Sequence, residues 1–321
     1  VGRKYPVISG ESGIDIAAGR LDGYSIKLEN AGIYIQSPAL TADSTFIIGL
    51  AIKFVSLVAA DRGILYLYDG ATAGMSIIVT TTGELAVYRG ATLLDTTVGL
   101  GLLGNTWYYL EFKVVCGNAP DGSYELRVGE TTVLSDSGID TQAGSNAYHD
   151  AFRLNNAATT PLDPFYDDIY VCDGSGTINN DFLGNMKVVS ILPDGVGNSA
   201  DFTPSAGANF TCVDEEVIDD DTSYVESGTS GHKDTHSFAD LSSVIGVKGI
   251  QINTTCRETD ASSFSLVTVI RSDGTDYSDT PQAIGTTDYI TKILLSETDP
   301  ATTDPWLYSA INSAEFGYEV D

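Results

Sequence analysis

The 321-residue sequence predicts an all-β protein: two β-sandwich domains of jelly-roll type, with one short helix near the C-terminus. Three observations carry that expectation. Runs rich in Val, Ile, Thr, Tyr and Phe recur along the chain and mostly alternate apolar with polar residues, the period of a half-buried strand. Gly, Asp, Asn and Pro separate these runs at short intervals. Helical spacing of apolar residues is scarce, and many short strands can bury alternate side chains only by stacking two sheets.

The first strand series runs YSIKLE (24–29), GIYIQSP (32–38), STFIIGLAIKFVSL (44–57), GILYLYDG (63–70), GMSIIVTTTGELAVYRG (74–90), TWYYLEFKVVC (106–116) and SYELRVGETTVLSDS (123–137). Ile48, Leu50, Ile52 and Phe54 share one parity, as do Leu110, Phe112 and Val114, so each set is a candidate core face. TTTGEL (80–85) reads as a hairpin turn in which Gly83 takes positive φ. Asp121–Gly122 turns the chain into SYELRV, and Gly129–Glu130 tips the hairpin that follows. FYDDIYVCDGSG (165–176) closes the series.

Past Asp173 the composition turns small and polar, GSGTINNDFLGN (174–185), which reads as a linker. A second series follows: MKVVSIL (186–192), HKDTHSFADL (232–241), VKGIQINTTC (247–256), SFSLVTVIRSDGTDYS (263–278) and DYITKILL (288–295). PWLYSAINSAEFG (305–317) is the helix candidate. Trp306, Ala310, Ile311 and Ala314 recur near helical spacing after Asp304–Pro305, a fair helix start. The expected organisation is a first sandwich over 1–176, a linker over 177–183 and an acidic second sandwich over 184–321.

The length suffices for two cores. Apolar residues at 42% and charged residues at 19% mark a globular chain. The charge is one-sided: 44 acids against 16 bases give −28, of which −10 falls on residues 1–175 and −18 on 176–321. A surface this negative repels phosphate backbones and anionic membranes, so no nucleic-acid partner is expected. No apolar run approaches the roughly 18 residues of a membrane span, so no membrane insertion is expected either. The opening VGRKYPVISG lacks the apolar stretch of a signal peptide. Cys116, Cys172, Cys212 and Cys256 are widely spaced, with no zinc-type pairing, and are expected to be reduced thiols.

FYDDIYVC raises the question of chemistry. On a regular strand Asp167, Ile169 and Val171 point to one face while Asp168, Tyr170 and Cys172 point to the other, so the adjacent carboxylates should diverge. They are expected to serve the sheet structurally, with calcium as the ion they could ligate. DEEVIDDD (214–221) is expected to be a solvated acidic loop; Asp219 and Asp221 are its calcium candidates, although the glycine-punctuated spacing of an EF-hand is absent. In HKDTH (232–236), His232, Asp234 and His236 share a face. Strand positions four apart are about 13 Å apart, too far for one ion to bridge both imidazoles without a bulge. A polar strand start is therefore expected. His149 has no Ser or Cys elbow beside it, and no GxSxG, phosphate loop or dinucleotide fingerprint is present. Tyr66, Tyr68, Tyr88, Tyr108 and Tyr109 lie in strand runs, where packing accounts for most of them and a sugar platform for a few.

The first half resembles the concanavalin A/laminin-G-like sandwich, in the version common in tailed-phage structural proteins. The matching segments are GRLDGYSIKLEN (19–30), LTADSTFIIGLAIKF (40–54), NTWYYLEFKV (105–114), SYELRVGETTVLSDSGIDTQ (123–142) and FYDDIYVCDGSG (165–176). The continuation NNDFLGNMKVVSILPDGVGNSADFTPSAG (179–207), CVDE (212–215), DDDTSYVES (219–227) and KDT (233–235) looks like that of the same proteins. Sandwich glycosidases of the laminarinase type resemble this fold but carry Glu-x-Asp-x-x-Glu on one strand. That spacing brings two carboxyls to the roughly 5 Å of the retaining geometry. Here the motif is missing, and Glu125 and Glu130 straddle a hairpin turn. The resemblance thus implies a non-enzymatic structural protein on the exterior of a phage particle, as head decoration or tail or fibre component. It would work by assembly with itself and other virion proteins, in a homo-oligomer or symmetric array, with host glycans as a further contact. The rival expectations are a calcium-assisted carbohydrate-binding lectin and a polysaccharide depolymerase.

Overall fold

Alternation along the strands dictates how the first half of the chain folds. The computed structural model describes residues 13–29, 32–57, 59–156, 162–216, 218–242, 246–259 and 263–321; the VGRKYPVISG opening lies outside them. Two units emerge, Val1–Val189 and Ser190–Asp321. In the first, the described strands are β1 (Ile14–Ala18), β2 (Tyr24–Leu28), β3 (Tyr34–Gln36), β4 (Thr45–Phe54), β5 (Arg62–Asp69), β6 (Thr72–Val79) and β7 (Leu85–Arg89). They continue with β8 (Thr92–Thr96), β9 (Tyr108–Val115), β10 (Gly122–Val128), β11 (Thr131–Ile139), β12 (Ala151–Asn155) and β13 (Pro164–Asp173).

These strands form a seven-stranded sheet in the order β1-β2-β13-β4-β9-β10-β11 and a six-stranded sheet in the order β3-β12-β5-β6-β7-β8. Ile48, Leu50, Ile52 and Phe54 of β4 join Leu110, Phe112 and Val114 of β9 in one core with Leu65, Leu67, Ile77, Val87 and Leu154 of the other sheet. The parity read from the sequence is the parity observed. The opposite face of β4 and β9 carries a second buried cluster, Ile47, Ala51 and Tyr109 with Tyr170 of β13.

Gly49 makes that second cluster possible. A Cβ there would stand 2.0 Å from Tyr170 Cε1, so the tyrosine ring crosses β4 where no side chain blocks it. Gly49→Ala is expected to cost about 1–3 kcal/mol, the scale of overpacking a filled site. A urea midpoint unchanged by the substitution would mean that the ring swings aside freely. The hairpin tips follow the turn chemistry: φ is 80° at Gly83, 56° at Gly129 and 67° at Glu130.

The second unit contains β14 (Pro193–Ala200), β15 (Thr203–Pro204), β16 (Val225–Glu226), β17 (Lys233–Phe238), β18 (Ile250–Cys256), β19 (Ser265–Ser272), β20 (Thr275–Ser278), β21 (Gln282–Ala283), β22 (Ile290–Ser296), the helix α1 (Tyr308–Ser313) and β23 (Glu315–Val320). Its main sheet has the order β14-β17-β23-β19-β20, with β21 also on β19. The ribbon β18–β22 supplies a second layer: Ile250, Ile252 and Leu294 pack on a cluster of Ile270, Trp306, Ile311 and Phe316.

Three boundaries differ from the sequence reading. The helix is shorter, because Pro305 bridges Thr298 and Leu307 holds the extended N-cap position; Trp306, Ile311 and Ala314 are buried as the spacing predicts. MKVVSIL contributes no strand over 186–192. The stretch 177–183 is not a free linker: Phe182 and Leu183, with Met186, pack on the outer cluster of the first unit. The division falls instead between Val189 and Ser190. Among the described residues no helix is long and apolar enough to cross a membrane.

Candidate functional site

The FYDD run sits at a defect in an otherwise regular ladder. Tyr166 pairs with Ile52 and Asp167 with Ala51, but the next partners are Tyr170 with Gly49 and Val171 with Ile48. Two residues of β13 are accommodated without partners, which is a β-bulge, and Asp168 takes φ 48° within it. The bulge resets parity. Tyr166 lies in the inter-sheet core before it, whereas Ile169 and Val171 pack on that core after it and Tyr170 lies in the outer cluster. The expected divergence of the two aspartates is therefore corrected, because it assumed an unbroken strand. Both reach the same arginine.

Arg20 is the centre of the arrangement. Its backbone N–H donates to Asp167 Oδ2 at 2.7 Å and its Nε to Asp168 Oδ2 at 2.8 Å. Nη2 donates to the Met186 carbonyl at 2.5 Å, Nη1 donates to Asn185 Oδ1, and the guanidinium lies 4.9 Å from the Tyr109 ring centroid. The Arg20 and Asp168 side chains are 9% and 4% exposed, so this is a desolvated pair. Burial pushes the Asp167 carboxyl above the usual carboxylate range, against the pull of the Arg20 amide.

Residues 181–188 run across this face as a strap, held by side chains where a strand would be held by backbone. The Leu183 amide donates to Tyr170 Oη (3.1 Å), the Gly184 amide to Glu111 Oε1 (2.8 Å), the Asn185 amide to Glu130 Oε1 (3.1 Å) and the Val188 amide to Asp168 Oδ1 (2.8 Å). Tyr170 in turn donates to Glu111 Oε1 at 2.6 Å. Lys113 pairs with Asp181 and Lys187 with Asp22 at the two ends. Backbone donors satisfied in this way need no neighbouring strand, and of the four Val188 lies within MKVVSIL. Burial raises the Tyr109 and Tyr170 hydroxyls far above the usual phenol value. Glu111 is fully buried, and among the described residues its Oε2 has no hydrogen-bond partner.

The other predicted residues lie apart from this clasp. Asp219 accepts from the Ser223 amide and hydroxyl at 3.3 and 3.0 Å. Asp221 accepts from Arg257 Nη2 at 2.6 Å and Tyr289 Oη at 2.8 Å, which hold its carboxyl below the usual range. The structure thus brings Asp167 and Asp168 onto Arg20 and gives Asp219 and Asp221 separate partners. Among the described residues no three His, Cys, Asp or Glu gather as a metal would require. Along HKDTH, His232 meets Ser227 at 2.9 Å, Asp234 is fully buried and accepts from Asn209 Nδ2 at 2.6 Å, and His236 Nε2 lies 3.2 Å from Tyr318 Oη. None of the four cysteines is in a disulfide.

Sequence reasoning missed Arg20, Glu111 and Glu130. Glu111 was visible only as a polar position alternating with Leu110, Phe112 and Val114, which gives no sign of its burial. Arg20 was not visible, because it lies 148 positions from the aspartate it pairs with.

No family model matches the chain, and no curated protein matches it. Among solved structures, the endo-beta-1,4-glucuronan lyase of Trichoderma reesei is 11% identical with a TM-score of 0.37, covering 49% of this chain and 85% of its own. The cellulose induced protein Cip1 is 13% identical with a TM-score of 0.38, covering 50% and 84%. The heptameric SAP-like pentraxin of Limulus polyphemus is 10% identical with a TM-score of 0.35, covering 49% and 74%. Likenesses of this order say nothing about activity or ligand.

Proposed function

We propose that the chain is a non-catalytic structural protein on the exterior of a phage particle, acting by assembly with itself and with other virion proteins. The clasp is the observation that supports a non-catalytic reading. Asp167, Asp168, Glu111 and Glu130, the carboxylates gathered on one sheet face, accept hydrogen bonds from Arg20 or from the chain's own strap. A general acid or base needs an oxygen within reach of the substrate proton, and here each carboxylate has at least one oxygen engaged by the fold, while the remaining Glu111 Oε2 is buried. The virion reading is supported by the sequence resemblance across both halves, and a charge of −28 suits a surface that must stay soluble and resist nonspecific association with nucleic acid.

Two measurements test the proposal. Incubation with capsular or cell-wall polysaccharide of the bacterial host is expected to release no reducing ends; turnover abolished by one Asp or Glu substitution would refute the non-catalytic reading. Mass spectrometry of purified particles is expected to find the chain at a fixed copy number. Its absence from washed particles would refute the virion reading.

A further inference from the structure

The outer face of the six-stranded sheet carries a row of side chains that the proposed assembly role does not use. Register places Gln36 opposite Arg153, Arg153 opposite Tyr66, Tyr66 opposite Ser76 and Ser76 opposite Tyr88. One polar and aromatic row therefore crosses β3, β12, β5, β6 and β7. The inward-facing neighbours Ile35, Leu65, Leu67, Ile77, Val87 and Leu154 lie in or on the core, which fixes this row on the opposite side. Tyr34 and Tyr68 flank it, pairing with Asn155 and Ala151.

Arg153 is held as a presented group. Its guanidinium is stacked 3.9 Å from the Tyr34 ring centroid and 4.6 Å from that of Tyr68. Nε and Nη2 both donate to Gln36 Oε1, at 3.1 and 2.7 Å. That leaves the Nη1 donors and one Nη2 donor unspent. Among the described residues it has no carboxylate partner, in a chain where acids outnumber bases 44 to 16. Arg20, Arg89, Arg127, Arg257 and Arg271, by contrast, each meet a carboxylate.

The tyrosine hydroxyls are also unspent, although Tyr34 and Tyr68 already stack on Arg153 and Tyr68 is itself buried. None of the hydroxyls of Tyr34, Tyr66, Tyr68 and Tyr88 bonds to a protein group among the described residues, and none is a buried orphan. Tyr66 lies back along its own strand, with its hydroxyl over Gly63, where a Cβ would stand 1.9 Å away. Its ring therefore lies along the sheet. Ser76, on the same face, is only 4% exposed, consistent with the rings of its cross-strand neighbours leaning over it.

From this geometry we infer that the face is a binding platform for a carboxylate-bearing saccharide. A planar guanidinium with free parallel donors matches a carboxylate in two-point geometry. The Tyr66 ring lying along the sheet offers an apolar face for sugar C–H groups, and the hydroxyls of the row offer donors and acceptors for sugar hydroxyls. Arg153 and Tyr88 are three strands apart, about 14 Å at the usual strand spacing, long enough for more than one sugar ring. A neutral glycan would leave the arginine unused, and an acidic peptide would leave the tyrosine row unused. The platform is independent of where the protein is assembled.

The test is calorimetric titration of the full chain with sialyllactose and with tetrasaccharides of hexuronic acids, beside their carboxyl-reduced counterparts and a tetraglutamate peptide. At least one acidic saccharide is expected to bind, with its carboxyl-reduced form about tenfold weaker or worse, the usual worth of one charge-assisted two-point contact. Arg153→Lys, which keeps the charge and loses the fork, is expected to lower affinity by a similar factor. Tyr88→Phe, which removes one hydroxyl, should weaken binding severalfold, and circular dichroism melts should show both variants folded. No binding of any acidic saccharide at millimolar concentration would overturn the inference. So would equal binding of acidic and reduced forms, equal binding of tetraglutamate, or affinity indifferent to both variants.

Discussion

Arg20→Ala is expected to destabilise the first unit by about 3–5 kcal/mol, the scale for removing one partner of a buried ion pair and stranding the other. The arginine does three things that alanine cannot. It neutralises Asp168, whose side chain is 4% exposed; it donates to the carbonyl of Met186 in the strap; and it covers the ring of Tyr109. Asp168→Ala removes the acceptor of the Val188 amide as well as the partner of Arg20. The double variant should therefore cost clearly less than the sum of the singles, since the second substitution removes a charge the first has already orphaned. Local release gives a readout that a general loss of stability would not. Proteolysis within 181–188, and exchange of the Gly184 and Val188 amides, should accelerate before the sandwich itself unfolds. A loss below about 1 kcal/mol in denaturant melts, with the strap still protected, would mean that the clasp is ornamental rather than structural.

The clasp also marks where sequence legibility ends. The face parity of β4 and β9 was readable because it is local: each residue's fate depends on neighbours two positions away. Gly83 and the Gly129–Glu130 tip were readable for the same reason, positive φ being a property of the residue itself. The bulge at Asp167–Asp168 was not, since one irregularity inverts everything downstream and the arginine that both aspartates meet is 147 and 148 positions away. MKVVSIL reads as a strand, but its Val188 amide goes to Asp168, and the nearby amides of Gly184 and Asn185 go to Glu111 and Glu130, all of them distant in sequence. β1 (IDIAA), β8 (TLLDT) and β12 (AFRLN) escaped because each is short and carries at most two β-branched or aromatic residues, and β14, PDGVGNSA, has almost no apolar residues to alternate. The tyrosine platform was half legible. Tyr66, Tyr68 and Tyr88 stand out as strand tyrosines, while Arg153 and Tyr34 join them only through cross-strand register.

Acid is expected to destabilise the protein well above the carboxylate range, and two histidines are the reason. His149 is 1% exposed and His236 2%, and in each the ring Nδ1 has no hydrogen-bond partner among the described residues. Burial pushes the His149 imidazole down from 6.5 to about 4, against the opposing pull of Asp69 and Asp150. Burial lowers His236 as well, with Asp234 and Glu315 opposing. The folded state therefore binds fewer protons than the unfolded chain once the pH falls below about 6.5, and protonation favours unfolding. Full stability holds above that pH and is lost progressively towards the folded value. For His149 alone the complete loss is about 3 kcal/mol, of which about 2 kcal/mol should appear by pH 5. The rest of the molecule pushes the other way over the same interval, since protonation relieves the self-repulsion of a chain carrying −28. The slope, rather than the absolute stability, is thus the diagnostic. Denaturant melts at matched ionic strength between pH 7.5 and 5 should show stability falling in the native protein, with His149→Gln removing the larger part of that fall and His236→Gln a further part. Each variant will start from a lower plateau, because each disturbs a packed site: His149 lies edge-on to Phe46, and His236 lies against Tyr318. A slope identical in the native protein and both variants would place the acid sensitivity in the carboxylates instead, and would mean that these imidazoles titrate with the same affinity folded and unfolded.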